Sequence, residues 1–150
     1  MFRVSCIQLR SNDNIYYNLK KTEKLILKAV KQKTDFILTP EVSSLFSLNK
    51  KQLLKICTSM NEDVYLKGIR KLANLHKKWI LIGSLAIKVS KNKLVNRSVL
   101  IDPNGKIRSH YDKIHMYDAK LSKKESYHES KIFLAGKKKK FSIYPGANSE

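Results

Sequence analysis

The sequence predicts an α/β domain, and three observations carry that expectation. The apolar pattern switches repeatedly between the spacing of strands and the spacing of helices. Of the 150 residues, 42% are hydrophobic, enough to build the core of one ordinary domain. The tetrapeptide DPNG, with Pro second and Gly fourth, is a type I turn signal between two β-rich runs.

Taken in order, "FRVSCIQL" reads as a first strand. "NIYYNLKKTEKLILKAVKQ" follows as an amphipathic helix with apolar positions at Leu19, Leu25, Ile26 and Val30. "DFILTP" is a short buried strand stopped by Pro40, which cannot donate to a sheet ladder. "NEDVYLKGIRKLANLHKK" is a second helix, whose acidic start at Glu62 and Asp63 suits the positive end of the helix dipole. "WILIGSLAIKV" and "LVNRSVLID" are β-rich and joined through "KVSKNKL", which reads as a hairpin turn. The turn at Asp102 to Gly105 then predicts a second hairpin returning through "KIRSHY", and Trp79, which opens a β run, reads as core. There is no internal repeat, and the only low-complexity stretch is the run Lys137 to Lys140.

The net charge of +19 and a pI near 10.0 raise the question of an anionic partner. A dedicated nucleic-acid surface usually gathers arginines and stacking aromatics into a stripe. Here the lysines are scattered from Lys20 to Lys140 and far outnumber the arginines, so the charge reads as compositional bias and nucleic acid is not expected as a partner. Cys6 and Cys57 have neither metal-ligand spacing nor a disulfide framework, which fits a reducing cytosol. The opening "MFRVSCIQLR" does not read as a signal peptide, and no apolar run has the length of a membrane span. A cytoplasmic protein without a membrane partner is expected.

Two charged residues sit where open α/β sheets tend to hold their sites, at strand ends. Glu41 follows Pro40 at the end of a buried strand, and Lys113 follows the return strand of the second hairpin within "HYDKIHMYD". Burial raises the pKa of such a carboxylate and a nearby lysine lowers it again, so the pair can be tuned for proton transfer. His110, His115 and His128 fit no tight ligand spacing, and no metal site is expected of them.

The same residues carry a family resemblance. "DFILTPEVSSLF" resembles the glutamate motif of the nitrilase superfamily of carbon–nitrogen hydrolases, and "NRSVLIDPNGKIRSHYDKIHMYD" resembles its lysine motif with the preceding hairpin. "VSCIQLRSNDNIYYNLKKTEKLILKAV" is similar to the family's first strand and helix, and "HESKIFLAG" to the segment just beyond the lysine. The four segments lie in the family's order and cover residues 2 to 136, with small-molecule amidases of the omega-amidase and deaminated-glutathione amidase type as the members they resemble most. The resemblance implies the N-terminal portion of an α-β-β-α sandwich and a Glu–Lys–Cys mechanism on a small-molecule amide, with no cofactor. It implies Glu41 as general base, Lys113 as the cation that stabilises the oxyanion, and Glu129, in "HES", as a second glutamate that positions the site. Homo-oligomers are usual among full-length members.

The family's nucleophilic cysteine should follow in a segment after "AG", and no segment like it is present. Cys6, within the first strand, reads as a small buried hydrophobe, and Cys57, in the helical or loop stretch "LLKICTSM", matches no motif. The expectation is therefore a truncated domain over residues 1–136, followed at 137–150 by a divergent tail, and an inactive chain. Residues 141 to 150 contain no Lys or Arg, directly after four lysines, which suggests a frameshift as a hypothesis. Reading the downstream DNA tests it, since no cysteine motif in any frame would sink the idea. A half sandwich would also expose an unpaired strand edge and an apolar face. The alternative function is a basic, non-catalytic binding protein that keeps the fold and engages nucleic acid or another acidic partner.

Overall fold

A computed structural model describes residues 1–120, Ser122 and 126–137. Lys138 to Lys140 and the rest of the tail named above lie outside the described residues. The chain forms a five-stranded sheet in the order β1 (Val4–Cys6), β2 (Phe36–Leu38), β3 (Trp79–Ser90), β4 (Lys93–Ile101), β5 (Ile107–Asp112). β1, β2 and β3 are parallel neighbours, and β3, β4 and β5 form antiparallel hairpins. Both expected hairpin turns form. At the second, the Gly105 N–H donates to the Asp102 carbonyl at 2.8 Å, with Gly105 at φ 72°, where a side chain would be strained.

Among the described residues three α-helices complete the main body: α1 (Ile15–Lys31), α2 (Lys50–Ile56) and α3 (Val64–His76). Each starts at a residue whose side-chain oxygen accepts a first-turn N–H: Asn14 from Tyr17, Asn49 from Gln52, and Asp63 from Leu66. Asp63 is thus the cap of α3, and burial pushes its carboxyl up despite the N–H bonds of Leu66 and Tyr65 and the nearby charge of Lys67. α2 was legible only as a helical or loop stretch, because seven residues give too short a period to separate the two.

α1 and α3 cover one face of the sheet, where Ile37, Ile80, Ile82, Val99 and Ile101 meet Ile26, Ile69 and Ala73 in one cluster. A fully buried Ile contributes about 1.5–3 kcal/mol, so this cluster is the main source of stability. The buried stripe of α1 differs from the expected apolar one. It runs Asn18, Thr22, Ile26, Ala29, while Leu19, Leu25 and Val30 lie at its margins. The two polar residues are tolerated because they are satisfied. The Asn18 amide donates to the Asn12 and Ser44 carbonyls at 2.8 and 3.0 Å, and the Thr22 and Tyr65 hydroxyls are hydrogen-bonded at 2.8 Å.

The opposite face is uneven. At one end α2 with its flanking residues, through Leu45, Leu53 and Cys57, and the later residues Ile132 and Phe133 cover Ala86 and Leu94. At the other end a row of apolar residues crosses four strands in register, Cys6, Leu38, Leu81 and Leu100, beside Val4, Phe36 and Trp79. Members of this row are half-buried or exposed, with Val4 53% exposed. Two expectations are corrected here. Cys6 is exposed rather than buried, and Trp79 is half-buried rather than core, because both point to the sheet face that α1 and α3 do not cover. A further strand pair, β6 (Asp118–Lys120) with β7 (Ser126–His128), precedes a 3-10 turn at Glu129–Lys131.

Candidate active site

The three expected site residues come from three separate elements and converge. Glu41 stands just beyond β2, Lys113 just beyond β5, and Glu129 on the 3-10 turn after β7. The Lys113 Nζ lies 3.1 Å from Glu41 Oε1 and 3.0 Å from Glu129 Oε2, so one ammonium is held between two carboxylates. Glu129 is the more enclosed of the two and also accepts the Tyr117 N–H at 2.7 Å.

A fourth residue completes the cluster, and sequence reasoning missed it. Asn96, buried on β4, donates through Nδ2 to Glu41 Oε1 at 2.8 Å and more weakly to Glu129 Oε1 at 3.4 Å. Its backbone carbonyl accepts the Lys113 N–H at 2.9 Å, so Asn96 touches all three partners. The available signal was a single amide inside the β-rich run "KLVNRSVLI", where a buried polar side chain needs a partner.

The backbone around each member is pinned. The Lys113 carbonyl accepts the Gly136 N–H at 2.8 Å, an approach so close that a Cβ on Gly136 would collide with the Asp112 carbonyl. Beside it, Arg97 and Asp112 form a two-pronged ion pair at 2.6 and 2.8 Å that fixes the end of β5 against β4. Glu129 is anchored through its continuation, since Leu94 donates to the Ile132 carbonyl at 2.9 Å and accepts from the Leu134 N–H at 2.8 Å. At the Glu41 turn, Gly83 is required because a Cβ there would strike the Thr39 and Pro40 backbone.

These contacts set the charge states. Burial alone would raise the Glu41 carboxyl, but hydrogen bonds from Lys113 and Asn96 and the lysine charge outweigh it and hold the carboxyl below its ordinary 4.5. Burial works against the Lys113 ammonium, and its bonds to Glu129 and Glu41 outweigh that, raising it above 10.5. Near neutral pH the site therefore holds an ionised Glu41 beside a charged lysine. Next to Asn96 and Glu129 lies a mainly apolar cavity of about 160 Å³, lined also by Val42, Leu45, Phe46 and Phe133.

Neither thiol belongs to this cluster. Cys57 is buried in the apolar group around α2 and does not line the cavity, and burial, with the charge of Asp63, pushes its thiol up to about 12. Cys6 lies exposed on the edge strand β1.

The family model for the carbon-nitrogen hydrolases matches residues 3–146. The chain belongs to the carbon-nitrogen hydrolase family. Relatives include the deaminated glutathione amidase of Yersinia enterocolitica, 29% identical over 89% of this chain and 47% of its own length. The citrullinase of Francisella tularensis is 33% identical over 85% of this chain and 45% of its own length. Among solved structures, the NitFhit protein of Caenorhabditis elegans superposes with a TM-score of 0.79 at 26% identity, covering 91% of this chain and 34% of that one. The resemblance carried by the glutamate and lysine motifs is borne out, as is the α/β fold of a nitrilase-type N-terminal portion. The chain spans about half the length, or less, of the relatives it matches. No helix among the described residues is long and apolar enough to cross a membrane.

Proposed function

We propose that this chain supplies the base and the lysine of an amidase site that hydrolyses a small-molecule amide. The observation that carries the reading is the Lys113 ammonium held between Glu41 and Glu129 at 3.1 and 3.0 Å. Glu41, ionised near neutral pH, is the general base. It takes the proton of a thiol, and the thiolate attacks the amide carbon to form a C–S bond. The negative charge that develops on the carbonyl oxygen is stabilised by Lys113, whose fixed charge gains strength once water is excluded. Glu41 then returns the proton to the leaving nitrogen as the C–N bond breaks, giving a thioester and ammonia or an amine. Water loses a proton to Glu41 and attacks the thioester carbon; the C–S bond then breaks, releasing the carboxylic acid, and Glu41 returns the proton to the departing thiolate to regenerate the thiol. Glu129 and Asn96 are positioning residues: Glu129 aims Lys113, and Asn96 keeps Glu41 facing it.

In this reading the thiol comes from outside these 150 residues. The exposure of Cys6 on β1 and the burial of Cys57 away from the cavity support that assignment. Residues 1–136 are the N-terminal portion of the hydrolase domain and 137–150 a divergent tail, and the chain alone is inactive. The test is ammonia release from simple aliphatic amides by the chain alone and by the chain joined to the C-terminal half of a related amidase. Activity is expected only in the joined protein, and its loss in Glu41→Gln and Lys113→Ala. Full activity in either variant refutes the residue roles. Activity of the chain alone that disappears in Cys57→Ser or Cys6→Ser overturns the assignment of the thiol.

A further inference from the structure

Val42, immediately after Glu41, has φ 55°, in the left-handed region. A β-branched residue there is an outlier that persists only where its surroundings impose it. What imposes it is one buried residue, Ser84, at the bulge of β3. The Ser84 Oγ accepts the Val42 N–H at 2.8 Å. Its backbone N–H donates to the Pro40 carbonyl at 3.3 Å, and its carbonyl accepts the Ser43 N–H at 3.0 Å. Ser84 therefore holds the chain on both sides of Glu41 without touching Glu41.

Further contacts tie the turn to the same strand. The Ser43 hydroxyl donates to Thr39 Oγ1 at 2.8 Å, and that oxygen accepts the Gly83 N–H at 3.2 Å. The two backbone bonds of Ser84 would survive loss of its side chain, whereas the Val42 N–H would be left without its acceptor.

We infer that Ser84 is a positioning residue for Glu41: its hydroxyl oxygen fixes the left-handed Val42 amide, and that turn in turn sets the Glu41 carboxylate against Lys113 and Asn96. The chemical use of Glu41 rests on the amidase reading above, but the geometric role does not. Without the Ser84 oxygen, Val42 relaxes toward an ordinary conformation, the carboxylate swings, and its contacts with Asn96 Nδ2 and Lys113 Nζ lengthen.

The experiment is a pH titration of the Glu41 carboxyl carbon by NMR in the 150-residue chain, with the signal assigned through Glu41→Gln. In the unsubstituted chain Glu41 is expected to titrate below its ordinary 4.5, because of Lys113 and Asn96. In Ser84→Ala it is expected to move up toward 4.5. In Ser84→Thr, which keeps the oxygen and has the cavity beside it to take a methyl group, it stays low. A merely structural serine would lower the melting temperature without moving this titration. If Ser84→Ala does not fold, Ser84→Cys keeps Val42 strained and replaces the hydroxyl by a weak sulfur acceptor, and the same upward movement is expected there. A Glu41 titration left unmoved in whichever of these two variants folds overturns the inference. The measurement needs no turnover, so failure of the joined protein to release ammonia would refute the amidase reading and leave this result standing.

Discussion

Replacing Lys113 by Met keeps a long side chain and removes its charge, which isolates what the ammonium does for the two glutamates. At about 3 Å, two unit charges attract by roughly 5 kcal/mol at an effective dielectric of about 20, and screening then decides how much of that survives. The Glu41 side chain is 57% exposed, so its arm is worth only about 0.2–1 kcal/mol. Glu129 is 15% exposed, and without the lysine it keeps, among the described residues, the Tyr117 N–H and a weak Asn96 contact. A fully buried pair broken on one side costs about 3–5 kcal/mol, and this half-enclosed one costs less. Together the arms give a destabilisation of about 2–3 kcal/mol near neutral pH. Glu41 has a folded pKa below 4.5, so its contribution is full above that value and is lost as the pH falls through the folded value. Lys113 has a folded pKa above 10.5, so its contribution is full below that value and is lost only as the pH rises through the folded one. Urea unfolding of both proteins from about pH 3 to pH 8 should therefore show a gap of about 2–3 kcal/mol at neutrality that narrows toward the acid end as the Glu41 arm, about 0.2–1 kcal/mol, is lost. An equal gap at both ends would refute the electrostatic reasoning and assign the effect to packing.

Three further outcomes follow from the fold. A thiol reagent should modify one cysteine of the native chain quickly, Cys6, and reach Cys57 only in denaturant; rapid reaction of Cys57 in the native state would contradict its burial. Gly83→Ala drives a Cβ into the Thr39 and Pro40 backbone, which has no flexible side chain to yield, so a loss of about 2 kcal/mol or more is expected in unfolding experiments. An unchanged midpoint would show that the turn has slack. The open apolar row on the sheet should make the chain self-associate in sedimentation velocity, less so for Leu81→Lys, while a monodisperse monomer at all concentrations would count against an adhesive face.

The fold class, most element positions, both hairpin turns and the identities of Glu41, Lys113 and Glu129 as candidates were legible in the chain. Those signals are local, or lie in motifs whose order along the chain is itself informative. Asn96 was not legible, because one amide in a strand says nothing about partners that lie 55 and 33 residues away. The burial of Asn18 and Thr22 was missed for the same reason. Helical periodicity counts apolar residues, whereas these two are buried because Tyr65 and the distant Ser44 carbonyl help satisfy them. Cys6 and Trp79 were placed inside because strand alternation identifies two faces without saying which of them is covered.

By itself, then, the sequence determined which segments become strands and helices, where the chain turns, and which charged residues close those segments. Propensity, capping and turn chemistry act over a few residues and need no knowledge of the rest. Only the tertiary structure decided that Glu41, Lys113 and Glu129 meet around one ammonium with Asn96 bridging them, and that one sheet face is covered while part of the other is open. Those outcomes depend on strand register and on which helix packs where, and both are fixed by contacts between residues far apart in the chain.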